Sequence, residues 1–297
     1  MQVAKTGTWL FTKKPQSYED KLIKRHVLKR GIMPTFSYEG SQIFYDEYGS
    51  GVPIVFIHPP AMGRKVFHYQ KQLRDKFRVI FPDLTGHGDT VGPIRDVSIL
   101  GYAKEIKALL NHLKIKEAII CGYSSGGIVA QEFALNFPMQ TMAVILAGGF
   151  PEVQSLALKY EHQVGMFMAK KHPRILARLI ANSHTKDKMV RREIYQHMIK
   201  ANIKTWYEFY KESLHYSCVD RLHSWNKPLL LIYGSRDLVN QHTRTYERYI
   251  RFQSAVIQDV SHQIPTKEWH LFNQIITGFI KEKILNQMKK GTSHNSE

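Results

Sequence analysis

Short apolar runs alternate along the chain with stretches in which apolar side chains recur at helical spacing. Six runs are almost continuously apolar, as is typical of parallel strands covered on both faces. They are residues 52–58, 77–84, 117–124, 141–149, 228–234 and 254–260. Between them, Ser98 is the predicted N-cap of a helix, and a second helical stripe starts at Trp269. The alternation predicts an α/β fold with right-handed crossovers between parallel strands.

The alternation stops after Phe150 and resumes at Pro228. The intervening residues contain no strand-like run, so they predict a helical insertion over one edge of the sheet. We therefore divide the chain into four segments. They are a basic N-terminal arm (1–36), an α/β core (37–150 and 227–288), a helical lid (151–226) and a flexible tail (289–297).

The composition is typical of a globular protein, since 43% of the 297 residues are hydrophobic and 23% are charged. The longest apolar runs fall far short of the roughly 20 residues that cross a bilayer. The first thirty residues also lack the apolar stretch of a signal peptide. These features predict a cytoplasmic protein without a transmembrane segment. The two cysteines, Cys121 and Cys218, are predicted to be free.

The net charge of +17 is concentrated in two segments. Residues 1–36 carry 8 basic and 2 acidic residues, and residues 151–226 carry 13 and 7, so each contributes +6. Neither segment contains a nucleic-acid-binding motif, so we predict no specific nucleic-acid partner. Solvated basic faces are the preferred interpretation, and weak attraction to anionic surfaces is the alternative. The fifteen histidines form no H-E-x-x-H motif, so neither a metal site nor a cofactor is predicted.

One strand-like run ends in the letters GYSSGG and is followed by a helical pattern. A nucleophile on such a turn takes a strained backbone conformation, and it needs small residues two positions before and after it. Gly122 and Gly126 provide this spacing around Ser124, whereas Ser125 would have Tyr123 as one of these neighbours. Ser124 is therefore the candidate nucleophile, and the Ser125 N–H is a candidate oxyanion donor. The alternative is a glycine-rich turn with solvent-facing hydroxyls.

Five short sequence motifs follow one another along the chain. They are FIHPP, DLTGHGDT, GYSSGG, LIYGSRDLVN and VSHQIP. In these motifs the chain resembles the α/β-hydrolase superfamily, from about Phe36 to Leu285. The resemblance implies an α/β-hydrolase fold, with a mostly parallel sheet flanked by helices and an inserted helical lid. It also implies a catalytic triad in the chain order Ser, Asp, His, which falls here on Ser124, Asp237 and His262.

The chemistry of the residues supports the same three candidates. A serine hydroxyl becomes nucleophilic when a neutral imidazole accepts its proton, and a carboxylate orients that imidazole. Asp237 and His262 both follow apolar strands, at the rim where open α/β sheets form their sites. Asp259, three residues before His262, is the alternative acid. The resemblance gives His58 and His87 structural roles beside the oxyanion hole, and Asp83 is expected to fix the loop after its strand.

The residues after His58 depart from the family pattern. Many relatives have glycine next, followed by the residue whose N–H is the first oxyanion donor. That donor position falls here on Pro60, which has no N–H. We expect Ala61 to donate instead, together with Ser125. The alternative is an incomplete oxyanion hole.

Large side chains in the lid are candidates for the wall of the substrate pocket. With Tyr123 beside the nucleophile, the predicted lining residues are Met166, Phe167, Trp206 and Phe209. Such a wall favours an apolar acyl or aromatic substrate. The alternative is that these side chains form the lid's own core.

Together these features predict a serine hydrolase that acts on a small-molecule substrate. The predicted reaction is cleavage of a carboxylic ester, lactone or thioester through an acyl-enzyme on Ser124. Because the nucleophile is serine, the resemblance argues against dehalogenases and epoxide hydrolases, which attack through a carboxylate. The alternatives are a carbon–carbon bond hydrolase, a cofactor-free haloperoxidase or oxygenase-like relative, and a low-turnover ligand-binding signalling protein. Pro60 is the feature that favours the last of these.

Overall fold

A computed structural model describes residues 8–11, 34–94 and 96–286. At its centre is a sheet of nine strands, counted over these residues, in the order β1-β9-β8-β7-β6-β4-β5-β3-β2. The strands are β1 (Thr8–Phe11), β2 (Thr35–Tyr38), β3 (Ser41–Tyr48), β4 (Pro53–Ile57), β5 (Arg78–Pro82), β6 (Ala118–Tyr123), β7 (Thr141–Ala147), β8 (Leu229–Gly234) and β9 (Gln253–Ile257).

The sheet is mostly parallel. Only the pairs β2–β3 and β3–β5 are antiparallel among the described strands. Central strand β6 pairs with β4 and β7, so that Cys121 lies opposite Phe56 on one side and Ile145 on the other. The six predicted apolar runs all form strands of the parallel part, which confirms the predicted α/β-hydrolase fold class.

Helices cover both faces of the sheet. They are α1 (Ile99–His112), α2 (Gly126–Asn136), α3 (Leu156–Lys171), α4 (Pro173–His184), α5 (Lys188–Met198), α6 (Ile203–His215), α7 (Thr243–Glu247), α8 (Ile264–Lys267) and α9 (Trp269–Ile280). Helix α1 begins as predicted, because the Ser98 side chain accepts a hydrogen bond from the Gly101 N–H at 3.0 Å.

Alternate residues of the strands contribute to two separate cores. On β4, Val55 and Ile57 pack with the apolar side chains of α1 and α2. Ile54 and Phe56 pack on the other face with α9 and with the 3₁₀ helix Arg64–Asp75. Because both faces are buried, these strands read as continuous apolar runs rather than as alternating ones.

The segment 151–226, which we call the lid, lies between β7 and β8. It contains α3 to α6. Helix α3 packs against α6, and α4 packs against α5. Within this segment the extended pairing is a single bridge between Glu152 and Ser217. Helix α5 also contacts the 3₁₀ helix of the core, so the lid is anchored on the side of β4 and β5.

The start of the chain contains a strand that the sequence pattern did not predict. Within the predicted basic arm, β1 pairs in parallel with β9, with Thr8 opposite Ser254. The other residues of the arm up to residue 33 and the predicted tail (289–297) lie outside the described residues. The two cysteines are free and buried. Over the described part of the chain, no helix combines the length and the apolar character needed to cross a membrane.

Candidate active site

Ser124 lies in a tight turn between β6 and α2, with a φ angle of 53°. This left-handed conformation is unfavourable for any residue with a Cβ atom. The turn can form only because glycines flank Ser124, since no side chain fits at either of their positions. A Cβ atom on Gly122 would lie 2.4 Å from the Gly127 Cα, and one on Gly126 would lie 2.2 Å from the carbonyl oxygen of Ile57. The spacing that selected Ser124 in the sequence is therefore a steric requirement of this turn.

Two loops bring an imidazole and a carboxylate to this serine. His262 follows β9, and its Nε2 atom lies 2.8 Å from the Ser124 Oγ atom. Asp237 follows β8, and its Oδ2 atom lies 2.8 Å from the His262 Nδ1 atom. Because a carboxylate accepts, Nδ1 carries the proton, and the Nε2 lone pair faces the serine hydroxyl. The three predicted residues thus form one hydrogen-bonded line.

The surroundings of His262 favour its charged form. Burial lowers the pKa of the imidazole, but the charge and hydrogen bond of Asp237, with a contribution from Glu161, raise this pKa above its ordinary value. Asp237 itself is buried, and it also accepts a hydrogen bond from the Val239 N–H at 3.1 Å. The loop after β7 requires a glycine at this point, because a Cβ atom on Gly148 would lie 2.7 Å from the His262 ring.

The alternative acid, Asp259, faces solvent. It has a φ angle of 59° in the turn after β9, and it forms an ion pair with Arg236 at 2.6 Å. Both side chains of this pair are 68% exposed. The carboxylate in contact with His262 is therefore that of Asp237.

The loop after β4 borders the nucleophile. Pro59 and Pro60 are buried and line the cavity above Ser124. The Met62 N–H donates to the Pro59 carbonyl at 3.2 Å. Over the described residues, the N–H groups of Ala61 and Ser125 have no protein acceptor. Ala61 is fully buried, with a φ angle of 63°.

His58 holds this loop against the loop after β5. Its Nε2 atom accepts a hydrogen bond from the Leu84 N–H at 3.0 Å, so the Nδ1 proton is directed to the Pro59 carbonyl at 2.9 Å. Burial lowers the pKa of His58 to about 4, which keeps the ring neutral. His87 packs edge-on against it, with ring centroids 5.3 Å apart. Both histidines lie where a structural role was expected.

Asp83 anchors the other end of the loop. Its buried carboxylate accepts hydrogen bonds from the Arg64 N–H at 2.7 Å and from the Asp89 N–H at 2.9 Å, and it pairs with the Arg64 guanidinium. The His197 ring of α5 lies 2.9 Å from the same carboxylate. Burial alone would raise the pKa of Asp83, but His197 and Arg64 hold it well below its ordinary value.

Asp83, Asp89 and His197 lie close enough together to suggest a metal site, since their ligand atoms are within 4.8 Å of one another. Two cations already occupy these acceptors, however. Arg64 and Lys200 approach the Asp89 carboxylate at 2.7 and 2.6 Å. The carboxylate charges are therefore already balanced, and the donor set does not fit an additional metal ion.

A cavity of about 600 Å³ opens directly on Ser124 and His262. Core residues form one wall, and α3, α4 and α6 of the lid form the other. Tyr123 lines it, and its hydroxyl donates to the His184 Nε2 atom at 3.0 Å because the His184 Nδ1 proton is directed to the Ile180 carbonyl at 2.7 Å. Burial lowers the pKa of His184 to about 4, so this ring is a neutral acceptor.

The predicted lid wall is wrong for four residues. Met166 and Phe167, on α3, do not belong to the cavity lining, and Phe167 is 58% exposed. Trp206 and Phe209 are fully buried in the packing of α6 against the core, where the Phe209 ring centroid lies 4.8 Å from that of Tyr102. The cavity wall uses their helical neighbours instead.

Several residues of the wall were not predicted. On α3 they are Leu158, Glu161, His162 and Gly165; on α4 and α6 they are His184 and Tyr210. The α3 positions recur at spacings of three and four residues, so they share one helical face. That spacing is the sequence signal that could have identified them.

Comparisons with known proteins agree with this description. Residues 65–272 match the family model described as serine aminopeptidase, S33. An uncharacterized protein of Mycobacterium tuberculosis is 39% identical over 104 residues, which are 34% of this chain and 30% of that protein. The 3-oxoadipate enol-lactonase 2 of Acinetobacter baylyi is 31% identical over 124 residues, 39% of this chain and 46% of the enzyme. The chain thus spans about a third to a half of the length of these relatives.

An esterase from Thermogutta terrifontis has the same fold, with a TM-score of 0.71 and 22% identity over 86% of this chain and 99% of the esterase. This likeness agrees with the α/β-hydrolase fold predicted for this chain. The chain belongs to the α/β-hydrolase superfamily, within the family described as serine aminopeptidase, S33.

Proposed function

We propose that this hydrolase is a serine esterase that cleaves a small carboxylic ester, lactone or thioester through an acyl-enzyme on Ser124. The observation that carries the proposal is the line of hydrogen bonds from the Ser124 Oγ atom through His262 to Asp237. This line ends at the floor of a cavity large enough for a small organic molecule.

In the first half-reaction, the His262 Nε2 atom accepts the Ser124 proton while Oγ attacks the carbonyl carbon. Asp237 stabilises the imidazolium that forms. The imidazolium then gives its proton to the leaving oxygen or sulfur, and the acyl group stays on Ser124. In the second half-reaction His262 activates a water molecule, which releases the carboxylic acid and restores the serine.

The tetrahedral intermediate carries a negative oxygen that needs hydrogen-bond donors. The Ser125 N–H at the start of α2 and the Ala61 N–H are our candidates, since neither has a protein acceptor among the described residues. Pro60, at the usual donor position, has no N–H. The network of His58, Asp83 and Arg64 supports a fixed position for this loop, which such a donor requires.

The charges around the cavity favour an uncharged substrate. Glu161 and Asp237 both line it, and Arg236 at its rim is paired with Asp259. A carboxylate on the substrate would therefore meet negative charge, and among the described lining residues no unpaired lysine or arginine lies beside it. Apolar wall residues such as Met62, Phe150 and Leu158 favour an apolar acyl group.

Turnover of short p-nitrophenyl esters, of γ- and δ-lactones and of acyl thioesters tests the proposal. The same protein should be assayed with aminoacyl p-nitroanilides, because the family description names an aminopeptidase. We expect ester or lactone turnover that is abolished in Ser124→Ala and retained in Ser125→Ala. Faster cleavage of the anilides than of all esters would overturn the ester assignment.

A second candidate, a low-turnover ligand-binding protein that retains the triad, is favoured by Pro60 alone. It predicts stoichiometric labelling of Ser124 by a fluorophosphonate but only a burst of p-nitrophenol with each ester. Steady multiple turnover with any member of the substrate panel excludes it.

A further inference from the structure

Exposed apolar side chains run along the outer surfaces of lid helices α3 and α4. On α3 they recur every three or four residues, so they share one helical face: Leu156, Tyr160, Val164 and Phe167. On α4 the pair Ile175 and Leu179, four residues apart, is 53% and 58% exposed. We call these six residues the apolar stripe. Contiguous exposed patches of this kind mark interaction surfaces rather than ordinary solvent-facing surface.

The apolar stripe borders the opening of the active-site cavity. Tyr160 and Val164 belong to both the stripe and the cavity lining. On α4, Leu176 and Ile180 line the cavity, and each follows a stripe residue by one position. Leu238, which is 66% exposed, continues the apolar rim on the core side. Whatever covers the stripe therefore also faces the entrance to the site.

On α4, the stripe residues have the active-site cavity on one side and a cationic groove on the other. It has a volume of about 460 Å³, and four basic side chains from α4 and α5 line it: Arg178, Lys188, Arg191 and Arg192. None of the four forms an ion pair with an acidic side chain among the described residues. Arg178 directly precedes the stripe residue Leu179, so the groove and the stripe are adjacent surfaces.

The segment that carries the stripe and the groove is strongly positive. Residues 156–199 contain nine lysines and arginines and three aspartates and glutamates, a net charge of +6. Two of the three acids are engaged within the protein. Asp187 caps α5 by accepting the N–H groups of Met189 and Val190, and Glu193 lies 2.9 Å from His68. The acidic side chains of this segment therefore neutralise little of its positive charge, although Arg178 stacks on the Tyr195 ring at 5.9 Å.

We propose that this face docks on an anionic lipid membrane. The apolar stripe would enter the boundary between headgroups and acyl chains, and the cationic groove would bind lipid phosphates. A second copy of the chain fits the face poorly, because a two-fold contact would bring two positively charged grooves together. Anionic lipid supplies both an apolar phase and the opposite charge.

Docking in this orientation turns the cavity entrance toward the lipid. An amphiphilic ester with its acyl chain in the bilayer could then pass between α3 and α4 without crossing water. This consequence rests on the proposed esterase function, whereas the docking itself does not. The inactive variant Ser124→Ala separates the two claims, since it should bind vesicles like the unaltered protein.

The test is flotation of the full chain with phosphatidylcholine vesicles, with or without phosphatidylglycerol. One variant removes stripe side chains (Ile175→Asn with Leu179→Asn), and another removes groove charges (Arg178→Gln with Arg192→Gln). A basic residue beside an anionic surface contributes about fivefold to binding, so we expect the groove variant to bind roughly 10- to 30-fold more weakly. The stripe variant should also lose binding, while its turnover of a short water-soluble ester stays unchanged.

Matched controls lie at the opposite end of the parallel strands, just before β6 and β7 begin. Met139 is 86% exposed there, so Met139→Asn removes an apolar side chain that is more exposed than either replaced stripe residue. Lys114→Gln with Lys116→Gln removes two exposed charges. Both controls should bind like the unaltered protein. The proposal is overturned if binding needs no phosphatidylglycerol, if the controls weaken it as much as the lid variants, or if sedimentation without lipid gives a dimer that the stripe variant dissociates.

Discussion

The His197 ring, on lid helix α5, lies 2.9 Å from a carboxylate oxygen of Asp83, on the loop after β5 of the core. The same oxygen accepts the Arg64 N–H at 2.7 Å. Arg64 lies three residues after Ala61, so one carboxylate joins the lid to the loop that carries the candidate oxyanion donor. The position of the lid and the geometry of that loop are therefore mechanically linked.

Removal of the lid partner of this carboxylate should loosen the loop. We expect His197→Phe to lower the free energy of unfolding by about 1–3 kcal/mol, because it leaves a buried acceptor with one partner fewer. It should also lower kcat more than it raises KM. Urea unfolding and steady-state kinetics measure the two effects.

Two control variants accompany this test. His197→Gln, which can still donate a hydrogen bond, should recover part of both the stability and kcat. Replacement of an exposed histidine, His223→Phe, should change neither. A change in stability without a change in kcat would refute the link.

Ser124 should be the only serine of the GYSSGG turn that a fluorophosphonate modifies. Its Oγ atom, rather than that of Ser125, lies 2.8 Å from the His262 base. Peptide mapping by mass spectrometry should place the adduct on Ser124, with no label in Ser124→Ala and normal label in Ser125→Ala. An adduct on Ser125 would contradict the assignment.

Asp237 should be the acid of the triad. In Asp237→Asn the side chain no longer stabilises the charged imidazole, so we expect kcat to fall by about 10⁴-fold with the fold retained. Asp259→Asn is the matched control, since it neutralises the exposed carboxylate that pairs with Arg236. Equal losses of kcat in the two variants, or a larger loss in Asp259→Asn, would reassign the acid.

The activity should fall on the acid side as His262 becomes protonated, because the imidazolium cannot accept the Ser124 proton. Since Asp237 and Glu161 raise the pKa of His262, the acid limb of the kcat/KM profile should lie above the ordinary histidine pKa of about 6.5. Glu161→Gln should move this limb to lower pH and leave kcat at high pH unchanged. A limb that does not move in Glu161→Gln would show that this carboxylate does not act on His262.

Ala61 should donate the second hydrogen bond to the oxyanion. Proline cannot serve as the probe, because its ring fixes φ near −65° and Ala61 has a φ angle of 63°. An ester in place of the Ala61 amide, introduced by protein ligation, removes only the N–H. We expect it to lower kcat by about 10²- to 10³-fold. Ala61→Gly keeps the N–H and relieves the strain, so it should retain kcat; equal rates in all three proteins would remove Ala61 from the mechanism.

The parts of the site that could be predicted depend on local rules. Ser124 follows from the two glycines around it, because a Cβ atom at either position would collide with backbone. Asp237 and His262 follow strands that are apolar throughout, and parallel strands bring their carboxyl ends to one edge of the sheet. Short-range sterics thus identified Ser124, whereas Asp237 and His262 were identified through the family resemblance, with which their positions after apolar strands agree.

The lid wall could not be predicted because it depends on how helices pack. Phe209 and Tyr210 are neighbours on α6, yet Phe209 packs against Tyr102 of the core and Tyr210 lines the cavity. A helix buried on two sides carries apolar residues on both, so the sequence pattern does not distinguish the faces. Strand β1 was missed for another reason, since its partner β9 is about 240 residues away in the sequence.

Strand β1 has a consequence for how the protein is handled. It covers β9 with main-chain pairing along Ser254 to Ile257, and the Gln258 N–H donates to the Phe11 carbonyl at 3.0 Å. A shortened chain that begins after Phe11 would leave β9 with an open row of N–H and C=O groups. Such an edge recruits strands from other molecules. Truncation at the N-terminus should therefore promote aggregation, and an affinity tag is better attached to the C-terminus.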